Sequence, residues 1–118
     1  MAVNNWKSFL MPYEQAVEEL KIKLKSIRKE YRRKNEYSPI EFVTGRVKEV
    51  ASILEKANKF EIPIDRIGYE LEDIAGIRIM CQFVDDIDKV VEIREFDSFI
   101  YQNNLAGLIK PTFFMSIF

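Results

Sequence analysis

One apolar stripe constrains the fold of this sequence more than any other feature. Between residues 12 and 34, apolar side chains recur at alternating spacings of four and three, the period of one face of an α-helix. Pro12 suits a first helical turn, and the basic residues of 28–34 gather where the helix dipole favours cations. We therefore predict one long helix from about residue 12 to residue 34. Its stripe consists of Tyr13, Val17, Leu20, Leu24, Ile27 and Tyr31.

Length and composition limit the chain to one small domain. Its 118 residues, 47% of them hydrophobic, suffice for one core and are too few for two. A net charge of -1 gives no overall attraction to nucleic acid or an anionic membrane, so any anion site must be local. Cys81 is the single cysteine and histidine is absent, which excludes an intramolecular disulfide and a cysteine-based zinc site. Without a signal-peptide pattern or a bilayer-spanning apolar segment, we expect a cytoplasmic protein with no membrane partner.

Two strands and two shorter helices are predicted after the long helix. The segment "FVTGRV" (42–47) is short and β-branched, with Gly45 as a break, and a helix follows from about Lys48 to Lys59. In "IAGIRIMCQFV" (74–84), apolar residues at 77, 79, 81 and 83 alternate with more polar ones, which predicts a strand near the sheet centre. A further helix is expected after Asp85, with Asp88 as its capping-box acid. The buried side of the 48–59 helix is predicted to be Val47, Val50, Ala51, Leu54 and Ala57.

A strip of cations and one hydroxyl lies in "TGRVKEVASILEK" (44–56). Lys48, Ser52 and Lys56 recur every four residues, so they would follow one helix face, and Arg46 precedes them. A phosphate chain needs several donors in a row, and neither lysine has an acid three or four residues away. A solvated face remains the alternative, because Glu55 could lean toward Lys48.

A second cluster lies in "ELEDIAGIRI" (70–79). Asp73 directly precedes the predicted central strand, where a carboxylate could hold Mg²⁺ through oxygen, and Arg78 projects from the strand face opposite Ile77 and Ile79. Alternatively, Asp73 caps a turn, and Arg78 covers the sheet or pairs with a nearby glutamate, Glu70 or Glu72. A lone carboxylate does not decide between these readings.

The basic end of the long helix also admits two interpretations. It is either a solvated face or a patch for nucleic acid or phosphate, and the apolar stripe would pack on its own domain or on a partner helix. The run comprises Arg28, Lys29, Arg32, Arg33 and Lys34.

Three segments, in this order and spacing, resemble a known enzyme family. They are "PYEQAVEELKIKLKSIR", "SPIEFVTGRVKEVASILEKA" and "EDIAGIRIMCQFVDDI", and the resemblance covers residues 1 to about 93. The sequence is similar to small RelA/SpoT-like alarmone synthetases of the single-domain RelQ type. These enzymes transfer pyrophosphate from ATP to the 3′-hydroxyl of GTP or GDP with Mg²⁺. The resemblance implies an α+β fold with a nucleotidyltransferase-like mixed sheet, flanked by helices and preceded by a long N-terminal helix.

The resemblance also implies a role for each residue of the two clusters. Arg46, Lys48, Ser52 and Lys56 match the family's ATP-phosphate-binding strip. Asp73 matches its magnesium carboxylate, and Arg78 matches an arginine that stacks on adenine.

The resemblance ends before the guanine-binding half of the family pattern. Members continue into a loop with a guanine-stacking tyrosine and a Tyr/Ser/His motif, and then into a strand with a second metal-binding glutamate, none of which follows Glu95. Residues 96–118 hold only two charged residues, Asp97 and Lys110, and five of the nine phenylalanines. We therefore expect residues 1–95 to be the N-terminal part of a synthetase domain, with the C-terminal strands of the family fold missing. Residues 96–118 would be a divergent apolar tail, produced by a shifted reading frame or by truncation.

Three functions are compatible with these observations. The first is a (p)ppGpp synthetase family protein that is truncated and inactive alone, with ATP and GTP or GDP as the family substrates. The second is a non-catalytic fragment that binds a full-length synthetase, RNA or a second copy of itself through the basic amphipathic helix. The third is a decayed product without function.

Overall fold

A computed structural model of the chain describes residues 5–71, 73–102 and 109–115. Within them, helices precede and connect the strands of a small mixed sheet, which confirms the predicted α+β class. A short 3₁₀ turn at Ile64–Arg66 leads into the third helix. In chain order the elements are α1 (Trp6–Arg33), β1 (Phe42–Val47), α2 (Val50–Lys59), α3 (Ile67–Glu70), β2 (Ala75–Cys81), α4 (Val84–Val91), α5 (Arg94–Gln102) and β3 (Ile109–Met115).

The long N-terminal helix is confirmed, but it begins earlier than predicted. Its N-cap is Asn5, whose side-chain oxygen accepts a hydrogen bond from the Ser8 amide at 3.3 Å. Pro12 therefore lies inside the helix, where it supplies no amide proton, and not in its first turn. The predicted stripe is buried apart from Tyr31, which is partly buried. Its buried members are Tyr13, Val17, Leu20, Leu24 and Ile27.

The three strands form a mixed sheet in the order β1-β2-β3. β1 pairs with β2 in antiparallel orientation, and β2 pairs with β3 in parallel orientation. The predicted central position of the alternating strand is thus confirmed. Ile77, Ile79 and Cys81 are fully buried, whereas Arg78 is exposed, as period-2 alternation requires. The prediction fails at Phe83, which follows the end of β2 and is 57% exposed.

Gly45 is part of β1 and does not break it as predicted. It pairs with Ile77 of β2, and α1 crosses the sheet directly above it. A Cβ atom at this position would lie 2.6 Å from Val17 Cγ1 and 2.9 Å from Ile77 Cδ1. Glycine is therefore required here for the close approach of helix to strand.

The predicted buried side of the second helix is only partly correct, because Ala57 is buried and Val47 and Val50 are partly buried, but the prediction misses Ile53. Ile53 and Ala57 are its buried residues, whereas Leu54 is 38% exposed and Ala51 is exposed. The predicted start is also two residues too early, because the helix begins at Val50 and not at Lys48. The predicted cap of α4 is also shifted, because the N-cap is Phe83 and its amide donates to Asp86, not to Asp88.

No helix in the described ranges is both long and apolar enough to cross a membrane.

Candidate functional site

A cleft of about 570 Å³ opens on the sheet surface where β1 ends and β2 begins. Its floor is largely backbone and small side chains, and its charged lining consists of three cations and one carboxylate. Those charged residues are Arg46, Lys48, Asp73 and Arg78. The rest of the lining consists of Thr44, Gly45, Ile74, Ala75, Gly76 and Ile77.

Strand register brings the two arginines of the cleft together. Arg46 of β1 is paired with Gly76 of β2, and Thr44 is paired with Arg78. Side chains at paired and diagonal positions of neighbouring strands share a face, so Arg46 and Arg78 project from the same side of the sheet. Gly76 contributes no side chain between them, and the cleft stays open. Sequence reasoning did not identify Thr44, although alternation along β1 places it on the face of Arg46.

Lys48 reaches the cleft from the link between β1 and α2, not from a helix face as predicted. The reason is that α2 begins at Val50, and the preceding Glu49 has an extended backbone. The Lys48 amide donates to the Ile74 carbonyl at 2.7 Å, which ties this link to the start of β2. The expected ladder of Lys48, Ser52 and Lys56 along one helix is therefore wrong in its geometry.

The two lysines meet on one carboxylate oxygen. Lys48 Nζ donates to Asp73 Oδ2 at 2.9 Å, and Lys56 Nζ donates to the same oxygen. The side chains of Asp73 and Lys56 are each 34% exposed, and that of Lys48 is 16% exposed. We call Lys48, Asp73 and Lys56 the Lys–Asp–Lys trio. Its two ammonium groups and one carboxylate leave it with one net positive charge.

The trio keeps Asp73 ionised. Partial burial of the carboxyl group favours its neutral form, but hydrogen bonds from Lys56 and Lys48 and the charges of both lysines outweigh this, and the pKa of Asp73 falls to about 2. At neutral pH the oxygen that accepts both lysines is therefore a full anion. Asp73 thus has lysine partners that neither sequence interpretation considered.

The structure brings most of the predicted site residues together. Arg46, Lys48, Asp73 and Arg78 line the cleft, and Lys56 joins them through Asp73. Ser52 is partly buried in the first turn of α2 and is not among the lining residues.

The glutamates considered as partners of these cations lie elsewhere or are not described. Glu70 pairs with Arg66 at 3.4 Å, and Glu72 lies outside the described residues. Glu55 does not pair with Lys48, whose ion pair in the described chain is with Asp73.

Asp73 is the carboxylate of the cleft that could contact a metal ion. Among the described residues, no three acidic or thiol side chains are close enough to form a metal cage. Mg²⁺ commonly binds through one or two carboxylates, with phosphate and water oxygens completing an octahedron. A single carboxylate beside a cationic cleft suits an ion that arrives with a phosphate ligand, and it does not suit a permanently bound metal.

Fold and cleft together define a small α+β domain with a cation-lined pocket at one end of its sheet. Residues 45–105 match the family described as the region found in RelA / SpoT proteins, and the chain belongs to this family. The matched range includes all six predicted site residues. It also extends past residue 95, where composition predicts a boundary.

Known proteins of this family resemble the chain closely. It is 64% identical over 88 residues to GTP pyrophosphokinase YjbM of Bacillus subtilis, an alignment that covers 75% of this chain and 41% of that protein. The crystal structure of small alarmone synthetase 1 from Bacillus subtilis bound to AMPCPP superimposes with a TM-score of 0.70 at 64% identity, covering 75% of this chain and 48% of that one. The same synthetase bound to its product pppGpp gives a TM-score of 0.71, with 75% and 46% covered.

The chain therefore spans less than half the length of these relatives. The described fold corresponds to part of the family fold, and the long helix and mixed sheet expected from the resemblance are confirmed.

Proposed function

We propose that the cleft binds the triphosphate of ATP, as the pyrophosphate-donor side of a (p)ppGpp synthetase. The observation that carries this proposal is the convergence of four cations on one end of the sheet. Arg46, Lys48 and Arg78 line the cleft, and Lys56 reaches its edge through Asp73. Support comes from the 64% identical synthetase, which was crystallised with AMPCPP, an ATP analogue with a methylene group in its phosphate chain.

Each cation has a role that suits its chemistry. Arg46 can hold two phosphate oxygens at once, whereas Lys48 and Lys56 act as mobile point charges. The planar guanidinium of Arg78 suits the face of adenine, as the family resemblance implies. Ser52 would donate its hydroxyl to a phosphate oxygen only if the ligand extends from the cleft toward the first turn of α2.

Mg²⁺ is the cofactor that this site would use, with Asp73 as a protein ligand and phosphate oxygens as further ligands. When bound, the ion would neutralise charge on the phosphate chain and favour attack at the β-phosphorus. The lysines would then hold the nonbridging oxygens and orient the chain for transfer. These roles require Lys48 and Lys56 to exchange Asp73 for phosphate.

The reaction we assign to the intact family site is transfer of pyrophosphate from ATP to the 3′-hydroxyl of GTP or GDP. Support comes from the solved relative that holds its product pppGpp. Both nucleotides belong to the cytoplasm, and we place the function there. The cleft supplies positions for ATP only, so within this 118-residue chain we assign nucleotide binding and not turnover.

Nucleotide titration of variants tests the assignment. We expect Mg²⁺-dependent ATP binding, measured by calorimetry, to weaken on the order of 10-fold or more in Lys48→Ala and Lys56→Ala, because each loses a charge-assisted hydrogen bond. Asp73→Asn should also weaken it, because the metal loses its carboxylate.

Lys59→Ala is the matched control for the lysine variants. Lys59 lies on α2 like Lys56, and both ammonium groups lie over the Phe60 ring, at 5.7 Å and 6.0 Å from its centroid. In the described chain, however, the ion pairs of Asp73 are with Lys48 and Lys56 and not with Lys59. Its loss should leave ATP affinity within about 2-fold, since exposed charges contribute little. Equal affinity in the wild type and in all three site variants would refute the proposal.

A further inference from the structure

Asp73 occupies the position that a phosphate oxygen would take between two lysines. Its Oδ2 atom accepts Lys48 Nζ at 2.9 Å and also accepts Lys56 Nζ. On a nucleotide, the same two lysines would likewise donate to an anionic oxygen. In the free protein, the carboxylate and an incoming phosphate chain therefore compete for the same donors.

We propose that Asp73 makes the cleft selective for metal-bound over metal-free nucleotide, because it releases Lys48 and Lys56 only when a divalent cation replaces them. The inference rests on the proposed function and adds a selectivity to it. Asp73 thereby acts as a specificity-determining residue and not only as a metal ligand.

Charge balance explains the selectivity. Metal-free triphosphate meets an anion at Asp73, and taking the lysines from it would leave a partly buried carboxylate without a partner, which is costly. Metal-bound triphosphate brings a cation for the carboxylate and oxygens for the lysines, so every charge keeps a partner. The exchange is therefore favourable only when metal and nucleotide arrive together.

The position of the trio in the fold supports such an exchange. Its members come from three separate segments: the β1–α2 link, α2 and the residues before β2. Lys48 and Lys56 are 25 and 17 residues from Asp73 in sequence, so both ion pairs are tertiary contacts of the Asp73 carboxylate. About a third of the Asp73 and Lys56 side chains is exposed, which leaves room for a ligand to approach. Long lysine side chains can change rotamer without moving the backbone.

The test compares ATP affinity in excess Mg²⁺ with ATP affinity in EDTA. For the wild type we expect magnesium to improve affinity by about 5- to 150-fold, the usual range of coupling between two ligands. In Asp73→Asn the lysines are freed and the metal ligand is lost, so the ratio should fall to about 1. Affinity for ATP in EDTA should rise above that of the wild type. Asp88→Asn, an exposed aspartate on α4 with the same charge change, should keep the wild-type ratio.

A second measurement needs no variant and so does not depend on the folding of Asp73→Asn. With lysine ammonium groups labelled for NMR, the two Nζ signals of the trio should shift with ATP and Mg²⁺ and stay in place with ATP and EDTA. An unchanged affinity ratio in a folded Asp73→Asn, or equal shifts under both conditions, would overturn the selectivity while leaving ATP binding intact. Failure of the wild type to bind either form would instead overturn the proposed function together with this inference.

Discussion

Asp86 is the charged side chain that the core of the described residues encloses, with 1% of it exposed. Its Oδ2 atom accepts the Tyr37 hydroxyl at 2.7 Å and the Phe83 amide at 3.1 Å. Partial desolvation of the Tyr37 hydroxyl, together with the hydrogen bond to Asp86 and its charge, raises the pKa of Tyr37 to about 12. The hydroxyl thus remains a donor at physiological pH. One carboxylate joins the link after α1 to the start of α4.

Replacing Asp86 should therefore destabilise the whole fold. Asp86→Ala removes the partner of the Phe83 amide and leaves the Tyr37 hydroxyl with only its longer hydrogen bond to Gln82 at 3.3 Å, and we expect a loss of about 2 to 3 kcal/mol in the free energy of unfolding. Urea denaturation followed by circular dichroism measures it. Asp85→Ala, an exposed position in the same helical turn, should stay within about 0.5 kcal/mol. Equal losses in the two variants would contradict the role of Asp86.

Local periodicity predicts the type and existence of helices and strands well, but it predicts poorly which residues of each element are buried. The α1 stripe and the alternation of β2 depend on neighbours within a few residues, and both are confirmed. Ile53 and Leu54 are adjacent apolar residues at the edge of the α2 stripe, and packing against the rest of the fold, which periodicity does not contain, decides that Ile53 is buried and Leu54 is exposed. From the sequence alone, Gly45 is predicted to break the strand. Glycine is needed there because the part of α1 that packs directly against this position lies more than twenty residues away in sequence, and local periodicity does not show that contact.

The candidate site was likewise predictable from the sequence only in part. Arg46 and Arg78 could be placed on a strand face by alternation alone. The contact of Lys48 and Lys56 with Asp73 could not, since it depends on how the β1–α2 link folds onto the start of β2. The family resemblance named the candidate residues, and the structure shows that Lys48 and Lys56 both contact Asp73. The metal and nucleotide roles, and the boundary near residue 95, stay predictions.

A substitution at Gly45 tests the packing of α1 on β1. Gly45→Ala places a methyl group within 2.6 Å of Val17 Cγ1 and 2.9 Å of Ile77 Cδ1, so these side chains or the helix itself must shift. We expect a loss of about 1 to 3 kcal/mol, measured by thermal or urea unfolding. Gly68→Ala is the comparison, because its nearest neighbour is the Phe9 ring at 3.3 Å and the cost should be smaller. A Gly45→Ala variant as stable as the wild type would mean that the helix does not press on the strand.

For the whole molecule, the sheet separates the core from the cleft. α1 covers one face with the buried stripe, and the arginines line the other. The chain spans less than half the length of the synthetase relatives, and our proposal assigns the cleft to ATP alone. Pyrophosphate transfer needs both nucleotides held in line, since most of its acceleration comes from positioning and charge stabilisation.

We therefore expect no alarmone from the 118-residue chain alone. Incubation with ATP, GTP and Mg²⁺, followed by chromatography of the nucleotides, should yield no pppGpp above a protein-free control. Lys48→Ala should also yield no pppGpp, although it binds ATP less tightly than the wild type. A change in ATP binding would then occur without any change in turnover. Clear synthesis by the wild type, lost in Lys48→Ala, would show that the chain contains a complete active site.

The alternation of β2 has a consequence for how such a gene can change. Odd-numbered positions of this strand face the hydrophobic interior, and Gly76 and Arg78 line the cleft. Loss or gain of one codon inside the strand would turn every following side chain to the opposite surface. Isoleucines would then point into the cleft and an arginine into the interior. We expect natural variation in this strand to consist of substitutions, with length changes confined to the loops on either side.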